Sequence, residues 1–263
     1  MAEIWRFINS GKMPPNENMA IDKAILEGVA NGISPQTVRI YDWNPPTISF
    51  GFHQNIAKYI DLERVKKSGF GIVRRPTGGR AVLHYDEITY AVIAKTDGIL
   101  KGSILQSYQK IGKVLLATLK KIGIDAEMEN GLPSLNNQKK WSNPCFTSAS
   151  KYEIHYKNKK IIGSAQIRKD GAFLQHGSIL LNNNQELMSK FLIVKNENER
   201  NILKKYLSKK TIAINQILDS PISFLEFSYK LNEAFEEIFP IKLDKKSGLN
   251  KFEKKFIKKI IEK

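Results

Sequence analysis

The chain has 263 residues, enough for one large domain or two small ones with a buried core. Its composition, 41% hydrophobic and 26% charged, is typical of a globular protein and excludes general disorder. No apolar run approaches the roughly 20 residues that cross a bilayer, and residues 1–12 contain no secretory signal. We therefore expect no membrane association. The single cysteine, Cys145, excludes an internal disulfide and favours the cytoplasm.

The charge is strongly basic, with 42 Lys and Arg against 26 Asp and Glu, a net +16. A field of this sign favours an acidic partner, either nucleic acid or an acidic carrier protein. A Lys-rich, solvated surface explains the same charge without any partner. Because the sequence contains no nucleic-acid recognition motif, we predict that nucleic acid is not the partner.

Hydrophobic periodicity predicts helices and strands in an irregular order over the first hundred residues. The helix at 16–31 carries apolar residues on one face, and Asn31-Gly32 ends it. In chain order, the predicted elements are a helix at 16–31, strands at 37–43 and 47–51, an amphipathic helix at 56–68, and strands at 71–75 and 88–94.

The second half begins with the strongest amphipathic helix, at 103–122. Polar residues at 129–144 predict a long loop, and such loops inside a compact domain are often functional. The remaining predicted elements are a three-stranded meander at 152–156, 160–168 and 172–181, a helix from Asn196 to Leu207, and a helix from Ser223 to Phe239. Because strands and helices do not alternate regularly, we predict an α+β fold with a mixed, largely antiparallel sheet flanked by helices.

The last segment, residues 242–263, contains nine lysines and three acidic residues. An apolar stripe runs through it, formed by Phe252, Phe256, Ile257, Ile260 and Ile261. The stripe predicts a helix docked on the body of the protein, with its lysines in water. We therefore divide the chain into a main domain at 1–240 and a basic C-terminal helix at 241–263.

A segment rich in glycine and arginine, residues 74–84, follows the strand at 71–75. Gly78 and Gly79 would let the backbone approach a ligand closely, and the arginines supply forked donors. The segment could bind an anion or polarise a carbonyl group. A tight turn with surface arginines is the alternative. Its spacing matches neither a P-loop nor a dinucleotide fingerprint.

Cys145 stands at the end of the polar segment, in Asn143-Pro144-Cys145-Phe146. A lone cysteine is most often a small buried side chain, but this position favours accessibility. A nucleophilic cysteine needs a nearby cation or base, and Lys160 is a candidate for the cation. An ordinary basic hairpin turn explains Lys160 equally. The four histidines, including His84 and His176, form no metal-binding spacing, so we predict no metal site.

Several segments together resemble the lipoate–protein ligase A and biotin ligase superfamily. The resemblance covers about residues 1–240 and follows the family's motif order. It is carried by Asn18-Met19-Ala20-Ile21-Asp22, by residues 74–84, by Lys160-Ile161-Ile162-Gly163-Ser164-Ala165-Gln166, and by residues 174–181. It implies the fold of the biotin and lipoate ligase catalytic domain.

Two features point to a subfamily. ATP-dependent lipoate ligases usually have a third glycine where Arg80 stands. The context of Cys145, with Tyr152-Glu153 following it, resembles the cysteine-containing octanoyltransferases of the LipM type. The resemblance implies that Cys145 is the nucleophile and that Lys160 is the cation that lowers its pKa. It further implies a substrate-binding set formed by Arg75, Thr77, Gly78, Gly79, His84, Gly163, Ser164 and His176.

By the same resemblance, the enzyme moves an octanoyl group from acyl carrier protein to a lysine of the glycine cleavage H protein or another lipoyl domain, in lipoate biosynthesis. A cysteine thioester is the intermediate and no cofactor is required. We expect a cytoplasmic monomer. The alternatives are an ATP-dependent lipoate–protein ligase and an amidotransferase that moves octanoyl or lipoyl groups between lipoyl domains.

Overall fold

The computed structural model describes residues 2–129 and 153–262. Cys145 and all but the first residue of the predicted loop at 129–144 lie outside the described residues. Within the described ranges, no helix is both long and apolar enough to cross a bilayer.

Eleven strands are present in the part of the chain that the structure describes. Their bounds are β1 Glu3–Met13, β2 Thr37–Trp43, β3 Thr47–Phe50, β4 Gly71–Arg74, β5 Val82–His84, β6 Ile88–Lys95, β7 Glu127–Met128, β8 Ile154–Tyr156, β9 Lys159–Lys169, β10 Ala172–Ile179 and β11 Ile241–Asp244. Eight of them form the main sheet, in the order β11-β1-β2-β6-β10-β9-β8-β7, and a small sheet has the order β4-β3-β5. In the main sheet β1 pairs in parallel with β2 and β11, and every other pairing is antiparallel. The predicted α+β fold with a largely antiparallel sheet is confirmed.

Six α-helices surround the sheets in the described residues. They are α1 Pro15–Ala30, α2 Leu62–Lys67, α3 Ile104–Lys121, α4 Glu197–Lys210, α5 Phe224–Ile238 and α6 Lys251–Ile261. Local capping agrees with the sequence: the Asn196 side chain accepts from the Glu199 amide, and Ser223 and Glu226 form a capping box. The predicted helices at 196–207 and 223–239 are therefore confirmed in place.

The predicted helix at 56–68 is wrong in its first part. Residues Ile56–Lys58 form a short 3-10 helix, and α2 begins only after Asp61. The Asp61 side chain accepts a hydrogen bond from the Arg64 amide at 3.0 Å, which starts a separate helix there. Apolar periodicity alone did not reveal this interruption.

The predicted helix at 242–263 is also wrong in its first part. Residues Ile241–Asp244 form β11, which pairs in parallel with β1 at the edge of the main sheet. The helix α6 starts at Lys251 and lies against α1. The buried carboxylate of Glu253 pairs with Arg6 on β1 at 2.6 Å. The division of the chain at residue 240 stays a prediction.

The core lies on both faces of the main sheet. Helices α3 and α5 cover one face, over residues such as Trp5, Val92 and Phe173. Helix α1 packs on the opposite face, against Tyr41 and other residues of β2, β6 and β10. The small sheet packs on α2 and α4 through a third cluster. This arrangement places the turn between β4 and β5 beside the main sheet.

Candidate active site

A cavity of about 450 Å³ lies where the turn between β4 and β5 faces the main sheet. The glycine- and arginine-rich segment supplies one wall, and β9 and β10 supply another. Eight of the residues predicted for the site line it, namely Arg75, Gly78, Gly79, His84, Lys160, Gly163, Ser164 and His176. Thr77 is fully buried and its hydroxyl contacts His176. Cys145 is outside the described residues.

The turn between β4 and β5 depends on glycine at two places. Gly79 has a φ of +92°, in the left-handed region that disfavours other residues. Gly51, at the end of β3, lies so close that a Cβ on it would be 2.2 Å from the Gly79 carbonyl oxygen. The turn therefore packs directly on the backbone of the neighbouring strand.

A buried ionic network supports the turn from α1. The carboxylate of Asp22 pairs with Arg39 at 2.6 Å and accepts from the Tyr41 hydroxyl at 2.8 Å. Burial alone would raise the pKa of Asp22, but the adjacent Arg39 guanidinium and His176 hold it below its usual range. His176 Nδ1 lies 3.1 Å from this carboxylate, and its Nε2 lies 2.7 Å from Thr77 Oγ1.

The protonation of His176 follows from these contacts. Burial lowers the pKa of His176 in spite of the nearby Asp22 carboxylate, so the ring is neutral near pH 7. Because a carboxylate only accepts, the ring proton resides on Nδ1 and Nε2 accepts from the Thr77 hydroxyl. A chain of hydrogen bonds thus runs from Asp22 through His176 to the turn.

A second buried network surrounds His84. Its Nδ1 lies 2.9 Å from Glu87 Oε1 and its Nε2 lies 2.7 Å from Ser49 Oγ. The ring stacks on Trp43, with the centroids 4.4 Å apart. The Glu87 carboxyl group also accepts from the Trp43 indole and from the hydroxyls of Thr89 and Ser178. These contacts hold the His84 ring rigidly at the cavity wall.

Lys160 reaches the cavity from the start of β9. Its Nζ lies 2.5 Å from Glu153 Oε1, and both side chains are largely buried. Glu129, Glu153 and His155 bring three ligand atoms within 4.8 Å of one another. A metal ion there would have to share Glu153 with the Lys160 ammonium. The donor set therefore fits an ion-pair network better than a metal.

The wall formed by β9 and β10 is backed by polar side chains. The hydroxyl of Tyr90 lies 2.7 Å from Ser164 Oγ and accepts from Gln175 at 3.0 Å. Burial raises the pKa of Tyr90 to about 12, so the phenol keeps its proton. Gly177 gives the Tyr90 ring room, because a Cβ there would lie 2.7 Å from the ring and 2.5 Å from the Gly163 carbonyl oxygen.

Sequence reasoning did not identify several residues that support the site. Asp22 was noted only as part of the first helix motif and Glu153 only as part of the motif that follows Cys145. Arg39, Ser49 and Glu87 were not singled out. Asp22 lies on the buried face of α1, and a buried carboxylate needs a partner. Its position on that face could therefore have indicated a role for Asp22. The other four lie on strands or at strand ends, where their burial is visible only in the fold.

The chain is similar to known proteins over most of its length. Residues 14–236 match the model of the lipoyl protein ligase A/B catalytic domain. The chain is 40% identical over 248 residues to "Octanoyltransferase LipM" of Geobacillus kaustophilus, covering 92% of this chain and 88% of that protein. It is 39% identical to the protein of the same name from Staphylococcus aureus, covering 95% and 88% of the two chains.

Solved structures share the fold. A bipartite lipoate protein ligase of Thermoplasma acidophilum, studied with its E2 lipoyl domain, has a TM-score of 0.82 at 21% identity, covering 99% of this chain and 93% of that chain. Lipoate-protein ligase A bound with ATP has a TM-score of 0.79 at 22% identity, covering 100% and 95%. At this identity the likeness concerns the fold. The family match and the curated relatives show that the chain belongs to the lipoyl protein ligase A/B catalytic domain family, in its LipM octanoyltransferase branch.

Proposed function

We propose that this chain transfers an octanoyl group from acyl carrier protein to a lysine of a lipoyl domain such as the glycine cleavage H protein, through a thioester on Cys145. The names of its relatives support an octanoyltransferase. The main observation behind the proposal is that Lys160 lines the same cavity as Arg75, Gly78 and Gly79 of the turn between β4 and β5.

The cavity suits a medium-length acyl chain. Its volume of about 450 Å³ lies within the range of roughly 300–1,000 Å³ of small-molecule sites. Met19, Tyr41 and Trp43 give it an apolar side. Each methylene buried there contributes about 0.8 kcal/mol of binding free energy. Burial of the chain on this side would therefore contribute to octanoyl binding.

The chemistry proceeds by two exchanges at one carbonyl carbon. The Cys145 thiolate attacks the thioester carbonyl of the donor, and the carbon–oxygen π pair moves onto oxygen. Collapse expels the carrier thiolate and leaves octanoyl on Cys145. A lysine amine then attacks, loses a proton to solvent and displaces the Cys145 thiolate. Thioester exchange is nearly isoenergetic and amide formation is downhill, so ATP is not required.

Lys160 is the residue we propose to favour the thiolate. A free cysteine has a pKa of about 8.5, so only a few per cent is ionised at neutral pH. A cation within about 4–6 Å lowers that pKa by one unit or more. The carboxylate of Glu153, 2.5 Å from Lys160 Nζ, holds the ammonium group in the cavity wall.

The proposed partners match the charge of the protein. Acyl carrier protein and lipoyl domains are expected to be acidic, so the net charge of +16 would steer their approach. A lipoyl domain as acceptor accords with the lipoyl domain studied with the Thermoplasma acidophilum ligase. We place the enzyme in the cytoplasm as a monomer that uses no cofactor.

The test is intact mass spectrometry after incubation with octanoyl-acyl carrier protein without ATP. We expect one octanoyl adduct that hydroxylamine releases, that Cys145→Ala lacks, and that passes to a lipoyl domain. Lys160→Gln should slow adduct formation and shift its pH profile upward. Acylation that requires ATP and free octanoate, and that survives Cys145→Ala, would make the chain a ligase. An acylated H protein acting as donor would make it an amidotransferase.

A further inference from the structure

The carbonyl groups of the turn between β4 and β5 are held on its protein side. The Thr77 carbonyl accepts from the Phe52 amide at 2.9 Å. The Gly78 carbonyl accepts from Arg75 Nη2 at 2.9 Å and from Nε at 3.2 Å. The Arg80 carbonyl accepts from Arg75 Nη2 at 2.6 Å. Three of the four carbonyls from Thr77 to Arg80 therefore have fixed donors.

The guanidinium group of Arg75 joins the turn to strand β3. Besides the two carbonyls of the turn, its Nη1 donates to the Ser49 carbonyl at 3.2 Å and to Ser49 Oγ at 3.1 Å. A guanidinium has five N–H groups, and within residues 2–129 and 153–262 these five contacts involve all three of its nitrogens. The side chain is 7% exposed. Each nitrogen of the guanidinium therefore already donates to a protein oxygen.

Fixing the carbonyls also fixes the amides. In a planar trans peptide the N–H points away from the preceding carbonyl. The carbonyls of Thr77 and Gly78 therefore set the directions of the Gly78 and Gly79 amides, and both glycines line the cavity. Among residues 2–129 and 153–262, neither amide donates to a protein group. The positive φ of Gly79 is typical of a backbone nest that binds an anionic oxygen.

We infer that Arg75 is a positioning residue that presets the Gly78 and Gly79 amides as the oxyanion site of acyl transfer. This inference rests on the proposed function and replaces substrate binding as the role of Arg75. In each exchange the carbonyl oxygen gains the π electron pair as the nucleophile attacks, and returns it when the thiolate leaves. Preset donors stabilise that charge without reorganising during the reaction.

The test compares Arg75→Lys with Arg200→Lys. Arg200 also donates to three carbonyls, those of Ser189, Lys190 and Leu192, but it does not line the cavity. We expect Arg75→Lys to lower kcat for octanoyl transfer by about 10- to 100-fold, the size expected for a misplacement near 1 Å, with KM unchanged. Arg200→Lys should leave both constants unchanged.

Two inhibitors separate positioning from general structural damage. Octanal adds a thiol to form a hemithioacetal, whose tetrahedral carbon carries the former carbonyl oxygen, whereas the carbonyl carbon of octanamide stays planar. In Arg75→Lys, inhibition by octanal should weaken by the same factor as kcat and inhibition by octanamide should not change. If Arg75→Lys folds poorly, Arg75→Ala assayed with and without methylguanidinium replaces it, and added methylguanidinium should restore kcat.

Each contrary outcome is distinct. A rise in KM alone would make Arg75 a substrate-binding residue and overturn the inference. An equal loss in Arg200→Lys, equal weakening of both inhibitors, or Arg75→Ala without rescue would also overturn it. A wild-type protein that transfers no octanoyl group would overturn the proposed function together with this inference, whereas normal transfer by Arg75→Lys would overturn this inference alone.

Discussion

The imidazole Nε2 of His176 lies 2.7 Å from Thr77 Oγ1, so a single hydrogen bond joins strand β10 of the main sheet to the turn between β4 and β5. The two residues are 99 positions apart in the chain. Because Asp22 on α1 holds the other side of the His176 ring, the turn is positioned from two separate elements.

Replacing His176 should therefore affect both stability and activity. His176→Ala leaves buried groups of Asp22 and Thr77 without this partner, and each such loss costs about 1–3 kcal/mol of the free energy of unfolding. His53→Ala removes an exposed imidazole and should change that free energy by less than about 0.5 kcal/mol. Urea unfolding of both variants measures the difference. Equal effects of the two substitutions would show that the buried contacts contribute little.

The lowered pKa of His176 predicts a pH dependence of stability. The folded state holds this ring neutral, while the unfolded chain binds a proton near pH 6.5. The free energy of unfolding should be constant with respect to this group above pH 6.5. It should fall as the pH decreases from 6.5 towards the lowered pKa, by at most about 1.4 kcal/mol per pH unit.

His176→Gln removes this titration and provides the comparison. The free energy of unfolding of this variant should depend less on pH between pH 6.5 and the lowered pKa of His176. Protonation of Asp22 becomes important only at lower pH, below the ordinary aspartate pKa of 3.8, because the fold lowers the pKa of this carboxyl group further. Parallel pH curves for wild type and His176→Gln would contradict the assignment of a neutral His176.

Close packing of the turn on β3 predicts a specific sensitivity at Gly51. In Gly51→Ala the new methyl would lie 2.2 Å from the Gly79 carbonyl oxygen, so the turn must move. A shift near 1 Å at reacting groups can cost about 100-fold in rate. Steady-state octanoyl transfer measures it. Gly248→Ala is the control, because no atom lies within 4 Å of that new methyl, and it should keep the wild-type rate.

The ion pair between Arg6 and Glu253 should hold α6 on the body of the protein. Both side chains are buried, and the Arg6 guanidinium contacts both carboxylate oxygens. Glu253→Gln leaves a buried cation without its counterion, which costs about 3 kcal/mol or more. Glu262→Gln breaks an exposed pair with Lys258 and should cost at most about 1 kcal/mol. Thermal unfolding compares the two variants. Similar melting temperatures would contradict a role of the Arg6–Glu253 pair in holding α6.

The net charge of +16 predicts that acyl transfer from a protein donor slows with salt. Screening shortens the electrostatic range to about 3 Å at 1 M salt, from about 10 Å at 0.1 M. We expect kcat/KM for octanoyl-acyl carrier protein to fall over this range. The rate with octanoyl-N-acetylcysteamine, a small uncharged thioester, should change little. Equal salt effects on both donors would show that the positive charge of the protein does not steer the protein donor.

Local signals explain what could be predicted from sequence. The capping box at Ser223 and Glu226 and the cap at Asn196 concern residues three positions apart, and both helices start where predicted. The fold class and the membership of residues 74–84, Lys160 and His176 in one site also followed from the motifs. The strand β1 was not predicted, because its pairing with β11 joins residues such as Glu3 and Ile241.

Periodicity was enough to predict the fold class, and short motifs pointed to the family and to eight of the residues that line the cavity. Each of these signals lies within a short stretch of the chain. What those residues do to one another became visible only in the folded protein. The contacts of Arg75 with the carbonyls of Gly78 and Arg80 became visible there, and so did the contact of Asp22 with His176, 154 positions away. Hydrogen bonds are satisfied in space, so contacts between distant segments leave no local pattern in the chain.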